Sequence, residues 1–69
     1  MFLSSNLKKC REKMSLSLEA LALELNKSGL CVSRQTISNW ESGASAPDGN
    51  DIAALAKFFD TPVQYFFDL

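Results

Sequence analysis

The chain has 69 residues, a mass of 7.6 kDa and a formal net charge of −1, which suits one small domain over residues 1–69. Hydrophobic residues make up 46% of it and charged residues 22%, which excludes a disordered or fibrous chain. Because it lacks histidine, a Cys-x-x-Cys motif and an evident pair of catalytic carboxylates, we expect no metal site, no cofactor and no enzyme activity.

Two further features bear on where the protein acts. The sequence has no run of about 18 apolar residues that would span a membrane, and its first five residues lack the basic and apolar regions of a secretory signal. We therefore expect a cytoplasmic protein with no membrane partner, and no small-molecule substrate is evident. In that reducing compartment Cys10 and Cys31 are expected to be small buried hydrophobic residues rather than a disulfide.

The charges are distributed unevenly along the chain. Residues 1–40 carry six basic and three acidic side chains, a net charge of +3, whereas residues 41–69 carry one basic and five acidic side chains, a net charge of −4. The overall balance argues against a nucleic-acid partner, but the first part of the chain can still face phosphate groups.

Capping residues and apolar spacing predict the first two helices. The first covers about 5–13, and Ser4-Ser5 can cap its start. The second begins after Ser17, its predicted N-cap, and ends near 26–29, where Asn or Gly can adopt a left-handed conformation. Apolar residues recur at helical spacing: Leu7, Cys10 and Met14 in the first helix, and Leu18, Leu21, Ala22 and Leu25 in the second.

The predicted third helix combines an apolar face with a polar one. It begins after Ser33 as N-cap and is ended by the small-residue loop of 42–47. Ile37 and Trp40 lie three residues apart on one face and are predicted to belong to the core. The other faces carry hydrogen-bonding side chains, namely Arg34, Gln35, Ser38 and Asn39.

Two more helices complete the prediction. The fourth covers about 49–59 and starts with Asp48 and Asp51 in a capping arrangement. The fifth, over about 62–67, follows Thr61-Pro62-Val63-Gln64, in which Thr61 is the N-cap and Gln64 completes a capping box. The apolar stripe of the fourth helix is Ile52, Leu55, Ala56 and Phe59. Because no segment alternates with period two, we predict an all-α fold of five helices.

Helices two and three together suggest a helix-turn-helix, in which the second helix of the motif enters the major groove of DNA. Three parts of the sequence allow a closer comparison with known helix-turn-helix proteins. They are Leu16-Ser17-x-Glu19-x-Leu21-Ala22, the run Val32 to Glu41 with Gly43, and Pro47 with Leu55-Ala56-Lys57. On these residues the chain, from Leu7 to Phe67, resembles the phage repressor family of lambda-repressor and Cro type, which is XRE-like. The resemblance implies a five-helix lambda-repressor-like domain that binds double-stranded operator DNA as a homodimer and represses transcription.

The resemblance also implies which residues read the bases. It places Arg34, Gln35, Ser38 and Asn39 on the groove-facing side of the third helix. Side-chain chemistry agrees, because arginine can form two parallel hydrogen bonds with guanine, and glutamine or asparagine can do so with adenine. The alternative interpretation is an ordinary solvated helix face.

Contacts with phosphate groups are expected near the helix N-termini. Ser17, Ser33 and Thr36 lie where backbone N–H groups and the helix dipole attract anions, and Lys8 and Lys9 can add charge from the first helix. Each has an ordinary structural alternative, since the two serines are needed as caps and surface lysines are normally solvated.

Two structural roles follow from the resemblance alone. Arg11 and Glu41 match a family pair that forms a largely buried ion pair between the first helix and the end of the third. The fifth helix and the chain end match the family's dimer surface. There Val63, Phe66 and Phe67 are expected to complete the core, which leaves Tyr65 and Leu69 available to a partner or folded back over the core.

The chain departs from the family pattern at two places. The family usually carries Gln directly after the N-cap of helix two, where it contacts a phosphate, but here that residue is Leu18. The turn at 26–31 is about five residues longer than in the family, and if helical it lengthens helix two by about 7.5 Å. The acidic balance and Leu18 keep one alternative open, a protein-interaction module such as an antitoxin or adaptor. The length leaves open a second, the DNA-binding part of a longer repressor.

Overall fold

The computed structural model describes residues 2–67, and its regular structure is helical, which confirms the all-α prediction. Four α-helices, α1 (Ser4–Lys13), α2 (Leu18–Lys27), α3 (Arg34–Ser42) and α4 (Gly49–Phe59), are followed by a 3-10 helix at Val63–Phe66. None of these helices, within the described residues, has the length and apolar character needed to cross a membrane.

The apolar stripes of the helices meet in one core. α1 and α2 each pack against α3, and the 3-10 helix packs against α4 and α1. Ile37 and Trp40 of α3 are buried, as predicted from their spacing. The other buried core residues are Leu7, Cys10, Leu21, Ala22, Leu25, Ile52, Leu55, Ala56 and Phe66.

Side-chain caps fix the starts of three helices. Ser17 Oγ accepts the N–H of Ala20 at 3.0 Å, and Ser33 Oγ accepts the N–H of Thr36 at 3.2 Å. Before α4, Asp48 and Asp51 form the predicted capping box. The predicted cap of the first helix is wrong, because α1 already begins at Ser4 and its N-cap, Leu3, has no side-chain hydrogen bond.

The predicted fifth α-helix is also wrong, because the segment is a 3-10 helix of four residues. Pro62 stands at its N-cap in an extended conformation, and Thr61 Oγ1 is buried without a hydrogen-bond partner, so the predicted capping box does not form. Contacts with the start of the chain stop the helix at Phe66. Leu3 N–H donates to Phe66 O at 2.7 Å, and Phe2 pairs with Phe67 in an antiparallel bridge.

Two residues expected in the core are exposed. Cys31 lies in the loop between α2 and α3 rather than on a helix, while Cys10 is buried, and both are free thiols. Val63 is 44% exposed, because Phe66, flanked by Phe2 and Phe59 at ring distances of 6.4 Å each, already fills the core at this end of the molecule.

Candidate nucleic-acid interface

The local sequence sets which face of α3 is free. Ser33 caps its start, and Gly43 ends it with a left-handed conformation, φ 84°, that favours glycine. Ile37 and Trp40 turn one face into the core. The remaining face therefore lies on the surface of the molecule.

The free face of α3 carries the four residues expected to read bases. Arg34 and Gln35 are exposed, and Ser38 and Asn39 are half-buried. Gln35 Nε2 donates to Asn39 Oδ1 at 3.1 Å, so the two amides orient each other. The bond leaves an acceptor oxygen on Gln35 and the donor NH₂ group of Asn39 free, the pair of functions that bidentate contact with a base edge uses.

Arg34 stands at the first position of α3 with its guanidinium exposed. Among residues 2–67, no acidic side chain pairs with it. A guanidinium presents a planar fork of five N–H donors, which matches the guanine edge and the phosphate group equally well. The arrangement can therefore bind an anion or a base edge without first breaking a contact within the protein.

The structure gives the expected phosphate residues different surroundings. The hydroxyl oxygens of Ser17 and Ser33 accept the capping N–H groups, and Ser33 Oγ also lies 3.1 Å from Thr36 Oγ1. Lys8 and Lys9 are exposed on α1. Within the described part of the chain, no ion pair or side-chain hydrogen bond links either lysine to the α3 face.

Arg11 holds three parts of the chain together. Its Nε donates to Glu41 Oε2 at 2.7 Å and its Nη2 to Glu41 Oε1 at 3.1 Å, which is a bidentate pair between α1 and the end of α3. Its Nη1 donates to the carbonyl of Leu16, directly before the cap of α2, at 2.8 Å. The side chains of Arg11 and Glu41 are only 14% and 9% exposed, and the hydrogen bond to Glu41 raises the pKa of the guanidinium.

The longer turn between α2 and α3 is a loop rather than a continuation of α2. α2 ends at Lys27, and Gly29 adopts φ 102°, a left-handed value that suits glycine. Asn26 Nδ2 donates to Ala22 O at 2.6 Å and to Val32 O at 2.8 Å, so one amide joins the last turn of α2 to the residue before the cap of α3. This role of Asn26 was not predicted, although a polar residue at the edge of a long turn is its signal in the sequence.

Leu18 stands at the start of α2 beside the free face of α3. It is half-buried against the core, and together with Arg34, Gln35 and Ser38 it lines a shallow surface depression. Leucine at this position has no hydrogen-bonding group to offer a ligand. It also gives the polar face of α3 an apolar edge.

The expected dimer surface is described only in part, since Leu69 lies outside the described residues. Tyr65 is 38% exposed, and Asn6 Nδ2 donates to its backbone carbonyl at 2.7 Å. With Met14 and Phe59 it lines a depression above Cys10. Burial raises the pKa of the Cys10 thiol, and Lys13 and Tyr65 oppose that shift more weakly.

The comparisons agree with this geometry. A family model described as helix-turn-helix matches residues 7–66, which include α2, α3 and the loop between them. Comparisons with curated proteins and with solved structures found no significant match. Within residues 2–67, no three side chains of metal-ligating type come close enough to hold an ion.

Proposed function

Because the chain belongs to the helix-turn-helix family of DNA-binding transcriptional regulators, we propose that it is a sequence-specific repressor of phage or prophage type that binds a palindromic operator as a dimer. The observation that carries this proposal is the free polar face of α3. That face presents a guanidinium with no acidic partner among the described residues and two amides that orient each other.

On DNA, α3 lies in the major groove with this face toward the bases. Arg34 donates two parallel hydrogen bonds to O6 and N7 of a guanine, and the linked amides of Gln35 and Asn39 bond to the edge of an adenine. Ser38 contributes a hydroxyl that serves as donor or acceptor. Each good bidentate contact discriminates against the wrong base by about 1–3 kcal/mol.

Contacts with the DNA backbone set the position of α3 in the groove. Ser17, Ser33 and Thr36 lie at or near the N-termini of α2 and α3, where free backbone N–H groups and serine hydroxyl protons point toward phosphate. Lys8 and Lys9 on α1 add positive charge. Arg11 holds the start of α2 against the end of α3, so that both helices meet the backbone as one unit.

Two copies bind two half-sites. Tyr65, with Leu69 at the chain end, contributes the contact between copies, and the exposed apolar side chains of Met14 and Val63 extend it. The half-site centres are then separated by about 10–10.5 bp, one turn of DNA. Occupation of promoter DNA by this dimer prevents transcription.

The test is a selection of bound duplexes from a random pool, followed by affinity measurements at several salt concentrations. We expect a motif with two-fold symmetry, and an affinity that falls with a log-log slope of about −0.9 for each phosphate neutralised. Gln35→Ala should weaken binding to the selected duplex, and Leu23→Ala, at an exposed residue of α2 outside both proposed contact surfaces, should leave it unchanged. A pool without an enriched sequence would contradict the proposal and favour the protein-interaction module.

A further inference from the structure

The depression beside α3 combines one apolar side chain with three polar ones. Leu18, from the start of α2, borders Arg34, Gln35 and Ser38 from the first two turns of α3. The depression has a volume of about 170 Å³. A water molecule takes about 30 Å³ in the liquid, and a methyl group is of similar size, so a single methyl group enters easily.

The chemistry of the lining restricts what fits there. Arg34 and Gln35 extend to groups that bond base edges, so an occupant that also meets Leu18 has an apolar group beside hydrogen-bonding atoms. In the major groove, thymine is the unmodified base with such a pattern, since its C5-methyl group stands next to the O4 acceptor. The positive charge of Arg34 also favours a polyanionic partner over a neutral one.

We propose that Leu18 determines specificity by contacting the C5-methyl group of a thymine in each half-site, next to the base pair contacted by Arg34. This inference rests on the proposed operator binding. Leu18 then contacts a base at the position where the family usually carries a glutamine that contacts a phosphate. Leu18 is half-buried against the core, so binding orders less of its side chain than it would of a fully exposed one.

The test replaces each thymine of the selected duplex in turn with deoxyuridine, which removes the C5-methyl group and no hydrogen-bonding atom. At one position in each half-site, we expect the affinity of the unaltered protein to fall about fourfold per half-site. This is the effect of losing the burial of one methyl group. At the remaining thymines the affinity should stay the same.

Variants at the leucine connect that loss to its side chain. Leu18→Met keeps an apolar group and should keep the preference for thymine. Leu18→Gln and Leu18→Ala should bind the thymine duplex and the uracil duplex with equal affinity. Leu23→Ala changes a leucine of α2 that is 60% exposed and lies outside the depression, so it should behave like the unaltered protein. Thermal unfolding of each variant shows whether it is folded at the assay temperature.

Several results would overturn the inference alone, with operator binding intact. They are a selected motif without thymine beside the base pair that depends on Arg34, equal affinity of the unaltered protein for thymine and uracil at every position, or a thymine preference that persists in Leu18→Gln. A pool without any enriched sequence would instead overturn operator binding and the inference with it.

Discussion

Arg11 connects α1, the residue before the cap of α2 and the end of α3 through three of its nitrogen atoms. Its side chain and that of Glu41 have little contact with water, so loss of one partner leaves the other charge poorly solvated. Loss of both removes that penalty, because two apolar side chains can pack where the pair stood.

We therefore predict that Arg11→Met lowers the free energy of unfolding by about 3 kcal/mol, and that adding Glu41→Leu restores part of it. Lys27→Met removes an exposed ion pair in which Lys27 Nζ lies 3.3 Å from Glu24 Oε2. This variant should change the free energy of unfolding by less than about 1 kcal/mol. Urea denaturation measures all three variants. If Arg11→Met and Lys27→Met have equal effects, the pair does not support the fold.

The two cysteines differ in burial, and we expect them to differ in reactivity. Cys10 is buried, and burial raises the pKa of its thiol, whereas Cys31 is exposed. Near pH 8 we expect iodoacetamide to alkylate Cys31 quickly and Cys10 only after denaturant is added, because the thiolate is the nucleophile. Mass spectrometry of the native and unfolded protein measures this. Equal labelling of both in the native protein would contradict the burial of Cys10.

The raised pKa of Cys10 also has a consequence for stability. The folded protein keeps the thiol proton to a higher pH than the unfolded chain does. Its contribution to stability is therefore fully present below the ordinary pKa of a thiol, and it is lost as the pH rises through the folded value. Replacement by serine would remove this dependence at alkaline pH.

Among the elements, the loop between α2 and α3 is held by two hydrogen bonds from one side chain, that of Asn26. Asn26→Ala removes the hydrogen bonds to Ala22 and Val32, worth about 1 kcal/mol each, and gains about 0.5 kcal/mol of helix propensity. We predict a net loss of about 1–2 kcal/mol in the free energy of unfolding. Asn50→Ala, on the exposed first turn of α4, is the matched control and should have a smaller effect. Equal losses would show that the loop does not need Asn26.

The sequence predicted the starts of those helices whose caps involve only residues close together in the chain. The caps Ser17 and Ser33 and the box of Asp48 with Asp51 lie within one turn of the N–H groups they bond, so sequence spacing suffices. The 3-10 helix depends instead on the bond between Leu3 and Phe66, far apart in the chain. A cap pattern at Thr61 carries no information about such a contact.

For the candidate site, the sequence supplied the free face of α3 but not the contacts that support it. The positions of Ile37 and Trp40 imply which side is exposed. Neither the bond from Arg11 to the carbonyl of Leu16 nor the depression at Leu18 follows from spacing, because both depend on how α1, α2 and α3 pack.

For the whole molecule, the exposed apolar side chains near the 3-10 helix define the proposed contact between copies. Tyr65→Glu places a carboxylate there and should convert dimers into monomers in sedimentation experiments, because burial of an unpaired charge opposes association. Leu23→Glu, at an exposed residue of α2, is the control and should leave the dimer intact. Monomers of the unaltered protein, with and without the selected duplex, would contradict the proposed dimer.

Contact between the free face of α3 and base edges is tested by the affinity of Arg34→Ala for every single-base variant of the selected duplex. We predict that discrimination falls by about 1–3 kcal/mol at one base pair in each half-site and stays the same at the others. A uniform loss of affinity across all sequences would contradict this contact for Arg34, because it would assign the guanidinium to phosphate alone.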